Sequence, residues 1–302
     1  LEVGIVDVPG HENFIRTMVA GASGIDACML VVAADDGPMP QTREHLDILT
    51  LLDVRHGVVV LTKIDRVSPE EQQLARQVVA DFVRGTFLEN APIMPVSNVT
   101  GDGLGALYEA LSDIVGAIQP RAVDGVFRLP VERAFSIRGH GTVIAGVPIA
   151  GAVHADDEIV LLPDGLTGRV KSIQVYGQDS STARSGQCAA INIRHWDHRL
   201  VERGKTVTIP GFFEPHTWCV GQVRMLPQDR LYLKHGATVR FHTGTTERLA
   251  RAYLLSGNGV AGGQTAFIQF RFDEPIVAGP RDRFIIRDLS PPRTIGGGVI
   301  LE

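Results

Sequence analysis

The sequence predicts a multi-domain chain: an α/β domain built on a parallel sheet, followed by two all-β barrels. Two patterns carry this reading. Up to about residue 118, apolar strands alternate with helices of ten or more residues, as in a parallel sheet with helices on both faces. Beyond Gln119-Pro120-Arg121, helical spacing largely disappears and short alternating runs broken by Gly, Asp and Pro take over, the pattern of small closed barrels. A length of 302 residues accommodates two or three domains, and the composition shifts put their limits at 1–120, 121–212 and 213–302.

The elements follow in order. Val3 to Val8 is apolar and rich in β-branched residues, which suits a short buried strand. Residues 12–23 have helical spacing, Cys28 to Ala33 is a second strand, and Pro40 to Leu52 is a helix with Pro at its start. Gly57 to Thr62 is a third strand, Pro69 to about Phe87 a helix with an acidic first turn, Pro92 to Val96 a fourth strand and Leu104 to Ile118 a helix. The barrel region divides near Phe212-Phe213-Glu214-Pro215 into two series of short runs, each read as six or seven strands.

Composition narrows the function classes. No apolar run reaches the length of a membrane-spanning helix, and no charged-then-apolar signal segment is visible, so no membrane partner is expected. Cys28, Cys188 and Cys219 are scattered without paired spacing, which argues against a disulfide framework or zinc knuckle and for a cytoplasmic setting. Residues 1–118 hold 7 Lys+Arg against 17 Asp+Glu, and the rest 22 against 17. An acidic first part and a mildly basic remainder leave room for a nucleic-acid partner of the latter.

Three strand ends carry chemistry. Asp7-Val8-Pro9-Gly10-His11 places a carboxylate, an amide and an imidazole where open α/β sheets bind ligands. Asp7 suits a water held on Mg²⁺, the Gly10 amide a terminal phosphate, and His11 an attacking water. Thr62-Lys63-Ile64-Asp65 sets a carboxylate just past the third strand, able to take the N–H groups of a guanine edge beside the lysine stem. Ser97-Asn98-Val99 closes the fourth strand with a small polar loop that can offer an amide to the guanine oxygen. Each motif alone is a weak signal; the three in this order are a strong one. His195-Trp196-Asp197-His198 has two imidazoles and a carboxylate, but no further ligand set at suitable spacing, and reads as a loop. His140 reads as a solvated turn residue.

On these motifs residues 1–118 resemble the nucleotide domain of translational GTPases without its first part, a partial P-loop-type GTPase domain. Gly21-Ala22-Ser23-Gly24-Ile25-Asp26 and the run from Val31 to His45 resemble the group around elongation factor Tu, and Thr62 resembles the selenocysteine-specific elongation factors. Arg133 to Val143 and Ser290 to Leu301 resemble the start of the second domain and the end of the third domain of those factors.

The resemblance implies a GTPase that delivers selenocysteinyl-tRNA to the ribosome, with GTP/GDP and Mg²⁺ as cofactors. Catalysis would fall to His11, phosphate binding to Asp7, Pro9 and Gly10, and guanine binding to Thr62, Lys63, Asp65, Ser97, Asn98 and Val99. Arg133 would hold the aminoacyl end. Glu132 stands where the family has aspartate and Cys188 where it has a second arginine, with Arg184 and Arg194 as the candidates to compensate. No Gly-x-x-x-x-Gly-Lys-Ser/Thr loop occurs in the chain, and the chain opens inside a strand on Leu1. The expectation is therefore a piece of a longer protein that alone binds GTP poorly and hydrolyses it negligibly, and that meets a messenger-RNA hairpin only through winged-helix domains beyond it. The competing readings are another elongation factor Tu-like GTPase and a nucleotide-free two-barrel RNA-binding module.

Overall fold

The computed structural model describes residues 2–10, 15–22, 24–137 and 141–302. It divides into two compact units, residues 25–120 and residues 1–24 with 121–302.

In the first unit, β1 (Ala27–Ala33), β2 (His56–Thr62) and β3 (Ile93–Pro95) form a parallel sheet in the order β1-β2-β3. Val59 and Leu61 of β2 pack on one side with Leu30, Leu46, Val79 and Val83, and Val58 and Val60 on the other with Val96, Leu107, Leu111 and Ile114. A strand apolar at every position is what a sheet covered on both faces requires. A helix of residues Pro40–Leu51 and one of Pro69–Val83 lie on the first side, and one of Leu104–Ala117 on the second. The Pro69–Val83 helix starts on a capping box: Glu71 N donates to Ser68 Oγ at 3.2 Å and Ser68 N to Glu71 Oε2 at 2.8 Å.

The opening segment departs from expectation. Residues 2–10 belong to no strand, and Val3 and Ile5 are 57% and 86% exposed. A strand is defined by the ladder it pairs into, and within its own unit this segment instead lies against the first of the two β domains. Cys188 Sγ occupies the place a Cβ on Gly4 would need, with the Tyr176 ring next to it. The helix that follows, Ile15–Ala22, backs onto Val6 and Val8 through Gly21.

The remaining strands build two β domains. The first comprises β4 (Arg128–Pro130), β5 (Arg133–Ile137), β6 (Gly141–Gly146), β7 (Ala152–His154), β8 (Glu158–Leu162), β9 (Leu166–Val175), β10 (Gln178–Ser180), β11 (Thr182–Arg184), β12 (Ala189–Arg194) and β13 (Thr206–Thr208). Its main sheet runs β4-β13-β8-β9-β12-β6-β5. A bridge from Arg128 to Ala150, just past β6, brings its ends together around Phe127, Leu129, Ile144, Ile173 and Ile191. Trp196 drops into this core and donates its indole N–H to Thr167 O at 2.7 Å. That contact explains the neighbouring imidazoles as a loop around a buried ring, and no metal-binding group of His, Cys, Asp and Glu is present among the described residues.

The second comprises β14 (His216–Met225), β15 (Tyr232–Lys234), β16 (Ala237–Thr243), β17 (Thr246–Leu254), β18 (Gly259–Ala261), β19 (Thr265–Ile276), β20 (Arg283–Arg287) and β21 (Thr294–Ile300). Six of them close a barrel, β14-β19-β17-β16-β20-β21. Phe241 sits at its centre, 4.8 Å from the Phe284 ring and 4.9 Å from Phe270. On β21, Gly298 has no room for a Cβ because Gln222 O of β14 lies against it.

The two β domains are tied by a buried ion pair. Arg128 donates to both carboxylate oxygens of Asp282, at 2.7 Å from Nη1 to Oδ2, and its guanidinium stacks 4.9 Å from the Phe213 ring. Gly279 N donates to the same carboxylate at 2.8 Å, and Phe213 packs with Val160, Leu162 and Val277. Removing one partner strands a buried charge, so Asp282→Ala should lower the unfolding free energy by about 3–5 kcal/mol. Chemical denaturation monitored by circular dichroism measures it, and a loss under about 1 kcal/mol would contradict the pairing.

Candidate functional site

The carboxyl ends of β1, β2 and β3 converge on one corner. Past β1, Asp35 and Asp36 lie in a turn whose Ala34 N donates to Thr62 O at 2.8 Å. Past β2, Lys63 takes a left-handed backbone (φ 58°) and leads into a single 3₁₀ turn that carries Asp65. Past β3, Ser97 is buried.

Ser97 is the hub of the corner. Its Oγ donates to Asp65 Oδ1 at 2.6 Å and accepts from Val99 N at 3.2 Å and Thr100 N at 3.1 Å. Its amide donates to Asp102 O and its carbonyl accepts from Gly101 N. Asp65, Asn98 and Val99 remain exposed. One carboxylate oxygen of Asp65 is thus fixed, while Oδ2 has no partner among the described residues. The Asn98 amide likewise has no intramolecular acceptor among them. Thr62 turns its hydroxyl to the neighbouring strand, donating to Val32 O at 3.4 Å.

Lys63 is held by groups that sequence reasoning passed over. Its Nζ lies 3.1 Å from Asp35 Oδ1 and 3.0 Å from Asp36 Oδ2, and Arg66 bonds the other oxygen of Asp35 at 2.9 Å. The bonds to Asp36 and Asp35 push the ammonium pKa up, and the bond from Lys63 holds the Asp35 carboxyl low. Asp35 and Asp36 were visible only as turn residues, because nothing in sequence pairs them with a lysine more than twenty-five positions away.

The phosphate-type residues Asp7, Pro9 and Gly10 belong to the other compact unit. Asp7 and Gly10 are exposed, and open space surrounds the Cα of Gly10. His11 lies outside the described residues, as does His140.

Arg133 stands exposed on β5, its guanidinium 5.8 Å from the Phe135 ring. Beside it, burial raises the Glu132 pKa against the opposing pull of Arg203 and Arg133. Burial, then the Glu132 charge, raises the Cys188 thiol. Arg203 donates to Thr17 O at 3.3 Å and Thr17 Oγ1 at 3.4 Å. Arg184 is exposed on β11 and Arg194 lies 4.0 Å from Asp156. The cations acting on Glu132 are therefore Arg203 and Arg133, and neither of the two arginines expected to compensate for Cys188.

Known proteins share this fold. Residues 1–117 match the family described as the elongation factor Tu GTP binding domain, and residues 221–302 match the selenocysteine-specific elongation factor beta-barrel domain. A selenocysteine-specific elongation factor of Desulfomicrobium baculatum is 41% identical over the whole chain. Over its whole length the chain is similar to selenocysteine-specific elongation factors. Among solved structures, the translation elongation factor SelB of Methanococcus maripaludis in its apo form superposes with a TM-score of 0.89 at 28% identity, over 98% of this chain and 69% of that one. The same factor in complex with the GTP analogue GppNHp gives 0.87 at 27% identity, over 98% and 70%. The chain spans about half the length of the curated family members it matches, 48% for the Desulfomicrobium factor.

Proposed function

We propose that this chain is the nucleotide-reading and aminoacyl-binding part of a GTPase that delivers selenocysteinyl-tRNA to the ribosome. The observation that carries it is the Ser97–Asp65 corner. A carboxylate with one oxygen anchored at 2.6 Å and the other open, beside an amide without an acceptor, complements a guanine edge: two N–H donors and one carbonyl oxygen. In this reading Asp65 accepts from the base, Asn98 N donates to it, and the stem of Lys63 flanks it, with Thr62 and Val99 shaping the same loop ends.

Magnesium bound with the triphosphate would neutralise charge on the phosphates. On the protein side, Asp7 would hold a water of the ion, Pro9 would set the turn, the Gly10 amide would meet the terminal phosphate and His11 would orient the attacking water. The match of residues 1–117 to the elongation factor Tu GTP binding domain and the likeness to the GppNHp complex of the Methanococcus factor support this assignment. Arg133 is the aminoacyl contact: a selenol is ionised at neutral pH where a serine hydroxyl is not, and a guanidinium favours the anion.

Asp65→Asn replaces an acceptor by a donor opposite the guanine N–H groups. In the complete factor it should weaken GDP binding at least about ten-fold and improve xanthosine diphosphate, whose 2-oxo group accepts. Isothermal titration with both nucleotides decides it, and an unchanged GDP affinity would sink the assignment. For Arg133→Ala, filter binding should show a far larger loss for selenocysteinyl-tRNA than for seryl-tRNA; equal losses would remove Arg133 from the pocket.

A further inference from the structure

The closed barrel turns an unusual outer face to solvent. From Trp218 to Met225 on β14, Phe267 to Asp273 on β19 and Leu249 to Leu254 on β17, side chains alternate between core and surface, so the pairing register fixes which outward residues are neighbours. Trp218 pairs with Arg271, which pairs with Arg251. One step along, Val220 pairs with Gln269, which pairs with Tyr253. One step further, Gln222 pairs with Phe267 and Arg224 follows opposite Thr265. Trp218 is 40% and Phe267 48% exposed. The Arg271 guanidinium lies 4.9 Å from the Tyr253 ring centroid and donates to Gln269 Oε1.

Two features set this face apart from ordinary barrel surface. Three aromatic rings occupy three successive outward rows, roughly 7 Å apart along the strands, where charged or small polar residues would serve solubility. The three arginines among them face no carboxylate: Arg271 bonds only neutral and aromatic groups, and Arg224 and Arg251 have no side-chain partner among the described residues. Asp273 follows Arg271 on β19, and Glu302 runs beside β14, its carbonyl accepting from Val220 N.

From this juxtaposition we infer that the β14–β19–β17 face binds single-stranded RNA. Bases stack on Trp218, Tyr253 and Phe267, and Arg224, Arg251 and Arg271 meet the phosphates between them. The row spacing matches the separation of successive nucleotides in an extended strand, and flat rings on a sheet are how other sheets hold unpaired bases. A duplex would offer its phosphates to the arginines but no base faces to the rings. The inference is independent of the nucleotide reading, since it concerns a different ligand and uses none of the residues assigned to the nucleotide.

The test uses the whole chain and a fluorescein-labelled oligouridylate of about twelve nucleotides, with a duplex of equal length as competitor. Trp196 is buried and Trp218 is the other of the chain's two tryptophans, so quenching of tryptophan emission on RNA addition reports this face directly. Trp218→Ala and Phe267→Ala should each weaken single-strand binding at least about five-fold, while Trp218→Phe, which keeps a ring, should restore most of it. Arg251→Gln should lower the salt slope of binding by about one. An unchanged thermal midpoint shows that each variant is folded. No single-strand binding at about 50 mM salt, tighter binding of the duplex, or indifference to both aromatic substitutions would each overturn the inference.

Discussion

A single hydroxyl organises the carboxyl edge of the parallel sheet. Ser97 is buried at the end of β3 and spends its one hydrogen on Asp65 while accepting two amides of its own loop. The donor joins two strand ends; the acceptors shape the loop that leaves Asn98 exposed. A hydrogen bond to a charged group contributes about 1.5–3 kcal/mol, more than a neutral one, so this contact outweighs the exposed ion pairs around Lys63, which are screened and individually small. The Lys63–Asp35–Asp36–Arg66 cluster then orders a long side chain that would otherwise move freely.

The β domains obey a different economy. Their stability comes from two apolar cores, one centred on Phe127 and Ile191 and the other on the Phe241–Phe270–Phe284 stack. Joining them costs the desolvation of Arg128 and Asp282, which two parallel hydrogen bonds, the Phe213 face and the Gly279 amide offset. That linkage leaves the far side of the closed barrel uncovered, where rings and unpaired guanidinium groups accumulate.

How much of this was legible in the sequence depends on the range of the interactions. Period and punctuation give β1, β2 and the helices to within a few residues, because β2 has an unbroken apolar centre from Val58 to Leu61 and Pro40, Pro69 and Ser68 mark helix starts. The order of Thr62–Asp65 and Ser97–Val99 is likewise local. The opening strand was misread for the opposite reason: β-branched residues show only that Val3–Val8 can be extended, and a ladder needs a partner that composition does not reveal. Asp35, Asp36 and Arg203 escaped notice because their roles come from contacts with residues far along the chain. The His195–His198 run reads as a loop from its spacing alone, but the indole bond from Trp196 to Thr167 that anchors it is a long-range contact that sequence does not show.

The central claim is that Ser97 pre-positions Asp65 to read the two N–H donors of guanine. Inosine lacks the 2-amino group, so the ratio of GDP to IDP affinity in the complete factor isolates that reading from phosphate binding. The account predicts that Ser97→Ala, with folding verified by circular dichroism, lowers GDP affinity by about ten-fold or more and IDP affinity by less, because IDP keeps the N1–H donor, so that the ratio falls. A variant that keeps the wild-type ratio would contradict it.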